Sequence, residues 1–434
     1  MRGRRIRRAG LACTPAFLFG LGAACSGSST SSSAPPDIIA TPADNVSEIS
    51  VDYGPPAAGG YINGLFTTVT VCVPGSTTDC QAIDNVLVDT GSSGLRLLGS
   101  VLTLSLPAWT DDSGTALAEC DQFISGSMWG PMRSADFSIA NEHAANLAIQ
   151  VIEETSYPLP AGCTGTDISS PDKLGANGLL GVGASLQDCG APCAAGLGRY
   201  SENPGIYYAC SAVTADGCQP AAVPVSKQMA NPVAFFTADA SGTIDNNGSI
   251  IELPAIPAGG APSVTGSLVF GIGTRANNAL ESATAIRLDD SDDFLTQYPG
   301  NGPPSFAFID SGSNTISFLD STTTHIPTCS DPLYPSLSDF YCPSSTLNLS
   351  AKIQDTSRLV TLTVKFSVAN AMTLFSGDNI AFDNLAGPSV TPQSAGSFMS
   401  AYFDWGLPFH FGRNVFTAIE GQATPGGVGP FVAF

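Results

Sequence analysis

The sequence predicts a mostly β protein built from two similar lobes. Of the 434 residues only 12% are charged, whereas glycine (46) and proline (32) are frequent. Apolar and alternating segments are short and end at turn residues, and long helical periodicities are missing. A loop in which an aspartate ends an apolar run also occurs twice, which indicates an internal repeat.

The first 24 residues have the outline of a secretory signal peptide. Five arginines precede an apolar stretch from Ala9 to Ala24, which is too short and broken for a lasting transmembrane helix. The segment Leu21-Gly22-Ala23-Ala24-Cys25 resembles a bacterial lipobox, with the leucine one place further from the cysteine than usual. We therefore expect cleavage before Cys25 and lipid attachment to it, where more than one acyl chain gives stable anchoring. A plain secretory signal is the alternative.

Residues 25–55 predict a flexible tether. They are rich in Ser, Ala and Pro, with a run of serine and threonine from Ser28 to Ser33, and such a stretch buries little. A tether after a lipidated cysteine suits an anchored domain, and Ser26 resembles the sorting signal of outer-membrane lipoproteins. We expect an exported protein, lipid-anchored to the cell envelope at the outer membrane and facing the periplasm.

The rest of the chain predicts an N-terminal β lobe over residues 56–245 and a C-terminal β lobe over residues 246–434. These ~380 residues are ample for a sizeable core. Helical candidates are short, such as Pro224 to Met229. Five segments have the pattern of strands bounded by turn residues: Thr67 to Val73, Ala82 to Val88, Ser267 to Phe270, Ser305 to Ile309 and Leu359 to Phe366.

The first candidate site follows the apolar run of residues 86–88. Asp89 ends this run and is followed by Thr90, Gly91 and Ser92. A carboxylate at the end of a buried strand is costly unless hydrogen bonds satisfy it. The two hydroxyls are possible donors, and the glycine lets the backbone turn closely past the carboxylate.

A second copy of this loop lies 221 positions downstream (310 minus 89). Asp310 ends the apolar run 306–309 and is followed by Ser311-Gly312-Ser313. Each copy is later followed by two bulky residues and a glycine, Leu179-Leu180-Gly181 and His410-Phe411-Gly412, at 92 (181 minus 89) and 102 (412 minus 310) positions. The repeat predicts two lobes of similar topology that each offer an aspartate to a shared cleft.

The arrangement resembles the pepsin-like aspartic peptidases, whose two lobes each contribute an Asp-Thr/Ser-Gly loop braced by a segment of two hydrophobic residues and a glycine. Residues 123–130 are similar to the flap hairpin of that family, and residues 411–416 to its last brace and the strand after it. In detail the chain is most similar to a bacterial group of predicted exported proteins catalogued as a domain of unknown function, from about Tyr61 to Phe434. The resemblance implies a bilobal β fold with a cleft between the lobes.

The resemblance also implies roles for the repeated residues. Asp89 and Asp310 would activate a water molecule for peptide hydrolysis without a cofactor or a covalent intermediate. Thr90 and Ser311 would hydrogen-bond across the lobe junction, and Ser92 and Ser313 would stand next to the carboxylates. Two departures from the family bear on efficiency and specificity. Phe123 stands at the flap position where a tyrosine is usual, with the indole of Trp129 as a conjectured substitute, and Arg96 introduces a charge near the cleft.

Twelve cysteines are present, of which Cys13 leaves with the signal and Cys25 carries the lipid. The remaining ten can form five disulfide bonds in an oxidising compartment, although sequence does not fix their connectivity. Closeness in sequence suggests the pairs Cys72 with Cys80, Cys120 with Cys163, Cys189 with Cys193, Cys210 with Cys218, and Cys329 with Cys342.

Net charge and metal-ligand patterns narrow the function further. The net charge of −21 becomes −26 when the five signal arginines are removed, which argues against nucleic acid as a partner. No Cys-x-x-Cys occurs and only three histidines are present, which disfavours zinc. Residues 289–293 contain four aspartates but lack the spacing of a calcium loop, so we expect a solvated surface turn there.

Two classes of function remain. The first is an aspartic endopeptidase of the cell envelope that acts as a monomer on peptide or protein substrates. The second is a catalytically silent protein of the same fold that binds peptide or another envelope component. A serine hydrolase is disfavoured, because no Gly-x-Ser-x-Gly elbow precedes a histidine, and we expect His410 to pack in the core or to line the cleft. A glycoside hydrolase is disfavoured, because its mechanism gives no reason for a duplicated loop.

Overall fold

Short strands make up most of the regular structure. The computed structural model describes residues 40–123, 126–152, 156–197, 203–211, 217–300, 303–332, 334–389 and 402–434. These residues all fall within one unit, Asp37–Phe434. The predicted signal peptide and Cys25 lie outside the described residues, so cleavage and lipid attachment stay predictions.

The described residues contain 24 strands, and the mostly β prediction is confirmed. They are β1 (Val46–Val51), β2 (Leu65–Cys72), β3 (Cys80–Asp89), β4 (Ser93–Leu98), β5 (Ala116–Phe123), β6 (Gly126–Ile139), β7 (Glu142–Ile152), β8 (Gly178–Val182), β9 (Tyr207–Cys210), β10 (Cys218–Pro220), β11 (Gly248–Leu253), β12 (Val264–Phe270), β13 (Ala285–Arg287), β14 (Phe294–Gln297), β15 (Ser305–Ile309), β16 (Ile316–Phe318), β17 (Leu347–Gln354), β18 (Thr361–Val368), β19 (Ala386–Gly387), β20 (Phe403–Trp405), β21 (Arg413–Ala418), β22 (Ala423–Thr424), β23 (Gly427–Val428) and β24 (Phe431–Ala433). The five predicted strands correspond to β2, β3, β12, β15 and β18.

Helices in the described residues are single turns. Four α-helical turns span Pro171–Leu174, Ala191–Ala194, Ser321–Thr324 and Ala371–Leu374, and six 3₁₀ turns span Pro56–Ala58, Val225–Lys227, Pro232–Phe235, Ala276–Asn278, Pro335–Asp339 and Leu407–Phe409. The predicted helical candidate near Pro224 is one of these 3₁₀ turns. Within the described ranges, no helix has the length and apolar composition of a membrane span.

Two large sheets organise these strands. The first has 15 strands in the order β10-β9-β5-β6-β7-β4-β8-β3-β2-β1-β12-β11-β21-β24-β13, and the second has seven in the order β18-β17-β14-β15-β20-β16-β19. The final six strands of the first sheet come from the start, the middle and the end of the described chain, so this part joins the two halves. The lobe boundary at residues 245 and 246 stays a prediction.

One strand lies inside the segment assigned to the tether. Residues 46–51 form β1, which pairs with β12 along its whole length and with β2 at its end. Ile49 and Val51 are fully buried. Their alternation with polar residues is the period-two pattern of a half-buried strand, so the ordered domain begins before residue 56.

The first aspartate lies at the end of a strand whose parallel neighbour is itself paired with an antiparallel strand. β3 runs parallel to β8, with Asp89 opposite Gly181, and β8 runs antiparallel to β4, with Gly181 opposite Gly94. Val86, Leu87 and Val88 are all buried, so β3, which lies between β8 and the antiparallel β2, is covered on both faces. The segment Leu179-Leu180-Gly181 is therefore the brace of this loop, as the repeat predicted.

The second aspartate has the same arrangement, but its brace is not the segment that the sequence suggested. β15 runs parallel to β20, with Ile309 opposite Trp405, and β20 runs antiparallel to β16. Gly406 packs on the loop as Gly181 does, since a Cβ there would lie 2.1 Å from the Thr315 carbonyl oxygen and 2.7 Å from that of Ser313. The brace is thus Asp404-Trp405-Gly406, 96 positions after Asp310 (406 minus 310), and the assignment to residues 410–412 is wrong.

Five disulfide bonds join the pairs that closeness in sequence suggested. They link Cys72 to Cys80, Cys120 to Cys163, Cys189 to Cys193, Cys210 to Cys218 and Cys329 to Cys342. Four of the five close loops within one half of the chain at separations of 4 to 13 residues. They therefore stabilise local turns around the sheets.

Candidate active site

The first loop holds its carboxyl group with two hydrogen bonds. Asp89 is the last residue of β3 and only 5% exposed. The Gly91 backbone N–H donates to Asp89 Oδ1 at 2.8 Å, and the Ser92 hydroxyl donates to Asp89 Oδ2 at 2.5 Å. Each carboxyl oxygen thus has one donor from its own loop, which fixes its orientation.

The second loop repeats this pattern. Asp310 directly follows β15. The Gly312 N–H donates to Asp310 Oδ1 at 2.7 Å, and the Ser313 hydroxyl donates to Asp310 Oδ2 at 2.8 Å. The sequence repeat is therefore also a repeat of hydrogen bonds.

The two loop glycines allow the carboxyl groups to approach each other. A Cβ at Gly91 would lie 2.7 Å from Asp310 Cγ, and a Cβ at Gly312 would lie 2.8 Å from Asp89 Oδ1. Such distances are shorter than any real contact of a side chain. Each glycine is thus required because the opposite aspartate occupies the space that a side chain would take.

Thr90 and Ser311 join the two loops across the halves of the molecule. The Thr90 hydroxyl donates to the Ile309 carbonyl at 3.1 Å, and the Ser311 hydroxyl donates to the Val88 carbonyl at 2.7 Å. Each hydroxyl also accepts from the other residue's backbone N–H, at 3.1 and 2.9 Å. Because all four bonds are buried, they fix the separation of the two aspartates.

Burial raises the pKa of both carboxyl groups. For Asp89 the next causes are the negative charge of Asp310 and a hydrogen bond between the two carboxyl groups. For Asp310 the next cause is the charge of Asp404, whereas the hydrogen bond with Asp89 lowers the pKa. Two carboxyl groups that share one proton in this way titrate as a pair.

A cleft of about 1060 Å³ contains the paired carboxyl groups. Residues from both halves line it, among them Tyr61, Phe123, Met128, Ile168, Phe308 and Asp404. Its volume is at the upper end of the ~300–1,000 Å³ of small-molecule sites. The cleft has room for several residues of an extended peptide.

Comparison with known proteins assigns the chain to a family. The family model described as "Protein of unknown function (DUF3443)" matches residues 41–434, which include both aspartate loops. The chain belongs to this family. Among solved structures, the crystal structure of aspartic proteinase from Irpex lacteus is similar, with 13% identity, a TM-score of 0.48, and coverage of 89% of this chain and 96% of that chain. No curated protein matches the chain.

The hairpin of β5 and β6 contains the residues that resemble a flap in sequence. Phe123 pairs with Gly126 at its end, residues 124–125 lie outside the described residues, and Phe123 lines the cleft. The conjecture that Trp129 supplies a hydrogen-bond donor to the cleft is wrong. Its indole N–H donates to the Tyr157 carbonyl at 3.0 Å. Adjacent residues of a strand point to opposite faces, and it is Met128 that faces the cleft.

Arg96 lies beside the cleft, as expected, but it is buried and paired. It is 1% exposed, and its Nη2 lies 2.5 Å from Asp121, 3.4 Å from Glu119 and 3.7 Å from Asp188. Its guanidinium also lies 5.7 Å from the centre of the Phe123 ring, and both Phe123 and Asp188 line the cleft. Its Nη1 donates to the Ser93 carbonyl at 2.9 Å. The guanidinium is therefore paired with carboxyl groups and joins β4, β5 and the loop after β8.

His410 packs in the core, which is one of the two roles that we expected; the other was lining the cleft. It is fully buried, and neither ring nitrogen has a hydrogen-bond partner in the described residues. Burial lowers its pKa to about 3, so the ring is neutral. His410 is not among the residues that line the cleft.

Tyr61 is a site residue that the sequence analysis missed. A Cβ at Gly64 would lie 2.4 Å from its ring, and one at Gly175 would lie 2.1 Å from it, so both glycines make room for the ring. Burial raises the pKa of the hydroxyl; its hydrogen bond with Asn314 lowers it, and the charges of the two aspartates raise it. No motif marks Tyr61, because it lies in a turn 28 positions before the first aspartate (89 minus 61).

The aspartate-rich turn at residues 289–293 is only partly the solvated surface turn that we expected. Asp290 is exposed, but Asp292 accepts from the Ser185 hydroxyl at 2.6 Å and Asp293 accepts from the Tyr402 hydroxyl at 3.2 Å. These residues line the cleft. Among the described residues, no group of three or more histidine, cysteine or acidic side chains is arranged to hold a metal ion.

Proposed function

We propose that this chain is an aspartic endopeptidase that hydrolyses peptide bonds with a water molecule activated by Asp89 and Asp310. One observation carries the proposal: the loops bring Asp89 and Asp310 so close that a Cβ at Gly91 or Gly312 would lie 2.7 or 2.8 Å from the opposite carboxyl group, inside a cleft with room for an extended peptide. The buried bonds of Thr90 and Ser311 support it, since they hold the pair rigid. In such a site a misplacement of about 1 Å costs on the order of a hundredfold in rate.

The pair works with one proton shared between its two carboxyl groups. The ionised member takes a proton from the water as the water attacks the peptide carbonyl. The protonated member donates a hydrogen bond to the carbonyl oxygen and stabilises the negative charge that develops there. The nitrogen of the leaving amine then takes up a proton from the pair, and the C–N bond breaks. The step needs no cofactor.

The decisive test compares Asp89→Asn, Asp310→Asn and the double variant with the parent on denatured protein. Each substitution removes one titrating group and nearly preserves shape, so melting temperatures should stay similar. We expect either single change to reduce kcat by about a thousandfold or more, and the double variant to be hardly worse, because the two residues act as one unit. The pH profile of the parent should be bell-shaped, since activity needs one proton on the pair.

Asp112→Asn is the matched control, because this carboxylate is exposed and does not line the cleft. That variant should cleave as the parent does. Comparable activity of a folded Asp310→Asn variant would disprove the two-aspartate mechanism. A folded parent that binds peptide but cleaves nothing across acid to neutral pH would instead identify the catalytically silent binder.

We also propose that the enzyme is lipid-anchored in the bacterial cell envelope through Cys25. The basic and apolar leader and the Ser-rich segment after it support this location, and five disulfide bonds are compatible with an oxidising compartment. Cys25→Ser should move the protein from the membrane fraction to the soluble periplasmic fraction on immunoblots. Cys13→Ser is the control that should leave it in the membrane fraction, and retention of the Cys25→Ser protein there would contradict the anchor.

A further inference from the structure

The two braces differ in one chemically important residue. In the first half, Leu179 of β8 lies opposite Leu87 of β3. In the second half, Asp404 of β20 lies opposite Phe308 of β15. The two loops are otherwise matched bond for bond, so a carboxyl group replaces an aliphatic side chain on the Asp310 side of the site.

Asp404 lies in a row of side chains that faces the cleft. Its neighbours across β15 and β16 are Phe308 and Ser317, and all three line the cleft. Phe308 precedes Asp310 by two strand positions, which is about 7 Å. An extended substrate also advances about 3.4 Å per residue, so Asp404 is within reach of side chains one or two residues from the scissile bond.

The carboxyl group of Asp404 has unsatisfied hydrogen-bonding capacity. It is 8% exposed, close to the 5% of Asp89, and its Oδ1 has no hydrogen-bond partner in the described residues. Burial raises its pKa to about 8, with a smaller contribution in the same direction from the charge of Asp89. A buried polar atom without a partner is costly, and a ligand that donates to it removes that cost.

The charge of the cleft favours one class of ligand. Besides Asp404 and the pair, Asp188, Asp290, Asp292, Asp293 and Glu420 line the cleft. The one basic side chain that lines it in the described residues is Lys173, which lies 2.9 Å from Asp167. Asp188, Asp292 and Asp293 have hydrogen-bond donors of their own. No described cation therefore balances Asp404.

We propose that Asp404 forms a subsite for a cationic side chain, a lysine or an arginine within two residues of the scissile bond. The subsite rests on the peptidase function proposed above and specifies its substrates. An ammonium or guanidinium group would supply both the missing donor and the missing positive charge. Discrimination against a neutral side chain follows, since that side chain leaves the carboxyl group unpaired.

Binding of a cation at this subsite should also release a proton. Three titratable groups lie near Asp404: Asp310 after β15, Asp89 at the end of β3, and the Tyr402 hydroxyl two positions before Asp404, which donates to Asp293. Its strand neighbours Phe308 and Ser317 do not titrate in this range. None of these groups is positive, so the free carboxyl group stays protonated. A bound cation favours its ionised form, and affinity for a cationic peptide should therefore rise from pH 6 to 8.

Matched peptides test this subsite. Four pairs carry lysine or norleucine at each of the two positions on either side of the scissile bond, and kcat/KM is measured for the parent, Asp404→Asn, Asp404→Leu and Asp112→Asn. The parent should prefer lysine by about tenfold or more at one position, as expected for a charged hydrogen bond. Asp404→Asn should lose most of this preference. Asp404→Leu, which copies Leu179, should prefer norleucine. Asp112→Asn removes an exposed charge that does not line the cleft and should keep the preference.

Binding is measured separately, so that the subsite and the peptidase function are judged independently. Calorimetry with versions of the same peptide pairs that carry a hydroxyethylene group in place of the scissile peptide bond, and so keep both flanking side chains, reports affinity without turnover on the parent and on Asp89→Asn. A lysine preference that rises with pH and disappears in Asp404→Asn supports the subsite, whether or not peptides are cleaved. Equal affinities and equal cleavage rates for lysine and norleucine at all four positions overturn the subsite alone. Absence of cleavage by the parent overturns the peptidase function alone.

Discussion

At the scale of single residues, the two aspartates of the site have the same hydrogen bonds within their loops but different neighbours outside them. The brace beside Asp310 carries Asp404, whereas the brace beside Asp89 carries Leu179. The negative charge of Asp404 raises the pKa of Asp310, but the shared hydrogen bond lowers it and raises that of Asp89. The loops are thus alike, and Asp404 is the chemical difference between their surroundings.

Tyr61 offers a direct test of how those outer residues act. Tyr61→Phe keeps the ring between Gly64 and Gly175 but removes the hydroxyl that bonds to Asn314. We expect kcat/KM to fall on the order of tenfold, the equivalent of about one lost hydrogen bond, with an unchanged melting temperature. Steady-state kinetics and calorimetric melting check both expectations.

Tyr53→Phe is the control for this change. Its hydroxyl also donates one hydrogen bond, to the Asp378 carbonyl at 2.7 Å, but the ring is half exposed and does not line the cleft. This variant should keep the parent kcat/KM. An unchanged kcat/KM in Tyr61→Phe as well would mean that the hydroxyl does not contribute to catalysis.

The site residues that could be predicted from the sequence are those that lie in a local motif. Asp89 and Asp310 are recognisable because each ends an apolar run and is followed by a hydroxyl residue, a glycine and a serine. Tyr61 and Asp404 reach the cleft only through tertiary packing, and their sequence neighbours resemble ordinary turn and strand residues. Reasoning from a single sequence has no signal for such residues, because their role depends on contacts with distant segments.

At the scale of elements, the misplaced second brace has the same kind of cause. In sequence, a brace is expected as two bulky residues before a glycine, and residues 410–412 fit that pattern. The true brace, Asp404-Trp405-Gly406, has a carboxylate at the first position, so it failed the apolar criterion. What defines a brace is the glycine that packs against the loop backbone, at Gly181 and Gly406 alike. The departure from the apolar pattern coincides with the proposed cation subsite.

The charged cluster on the hairpin of β5 and β6 is a second feature that sequence did not reveal. Arg96 in β4, Glu119 and Asp121 in β5, and Asp188 form one buried cluster. A buried arginine without carboxylates would be strongly destabilising, so these residues depend on one another. The cluster holds β5 near its end, two residues before Phe123, which lines the cleft.

At the scale of the whole molecule, the fold buries many carboxyl groups that keep their protons near neutral pH. Outside the catalytic pair, burial raises the pKa of four of them to about 7 or about 8: Glu142, Glu252, Asp293 and Asp404. In the unfolded chain these groups have ordinary pKa values of about 4 and are ionised above pH 6. The folded chain therefore holds more protons than the unfolded chain, and its stability falls as pH rises through the folded pKa values.

His410 makes the stability rise with pH rather than fall, but it does so in a lower pH range. Its pKa is lowered to about 3 in the folded chain, from the ordinary value of 6.5. Below about pH 6.5 the unfolded chain therefore binds a proton that the folded chain does not bind. Above pH 6.5 His410 is neutral in both the folded and the unfolded chain, so its effect on stability no longer changes with pH. The buried carboxyl groups alone therefore set the slope of stability against pH between pH 6.5 and 8.5.

The free energy of unfolding should accordingly fall from pH 6.5 to 8.5, by about 1.4 kcal/mol per pH unit for each carboxyl group that stays protonated. Guanidinium denaturation at several pH values measures this slope. Glu252→Gln should flatten it, because this buried group lies away from the cleft and its amide oxygen still accepts from the Ala40 N–H, as Glu252 does at 2.7 Å. Glu48→Gln, on the exposed side of the nearby strand β1, should keep the parent slope. A stability that rises over this range would show that the buried carboxyl groups are ionised in the folded chain.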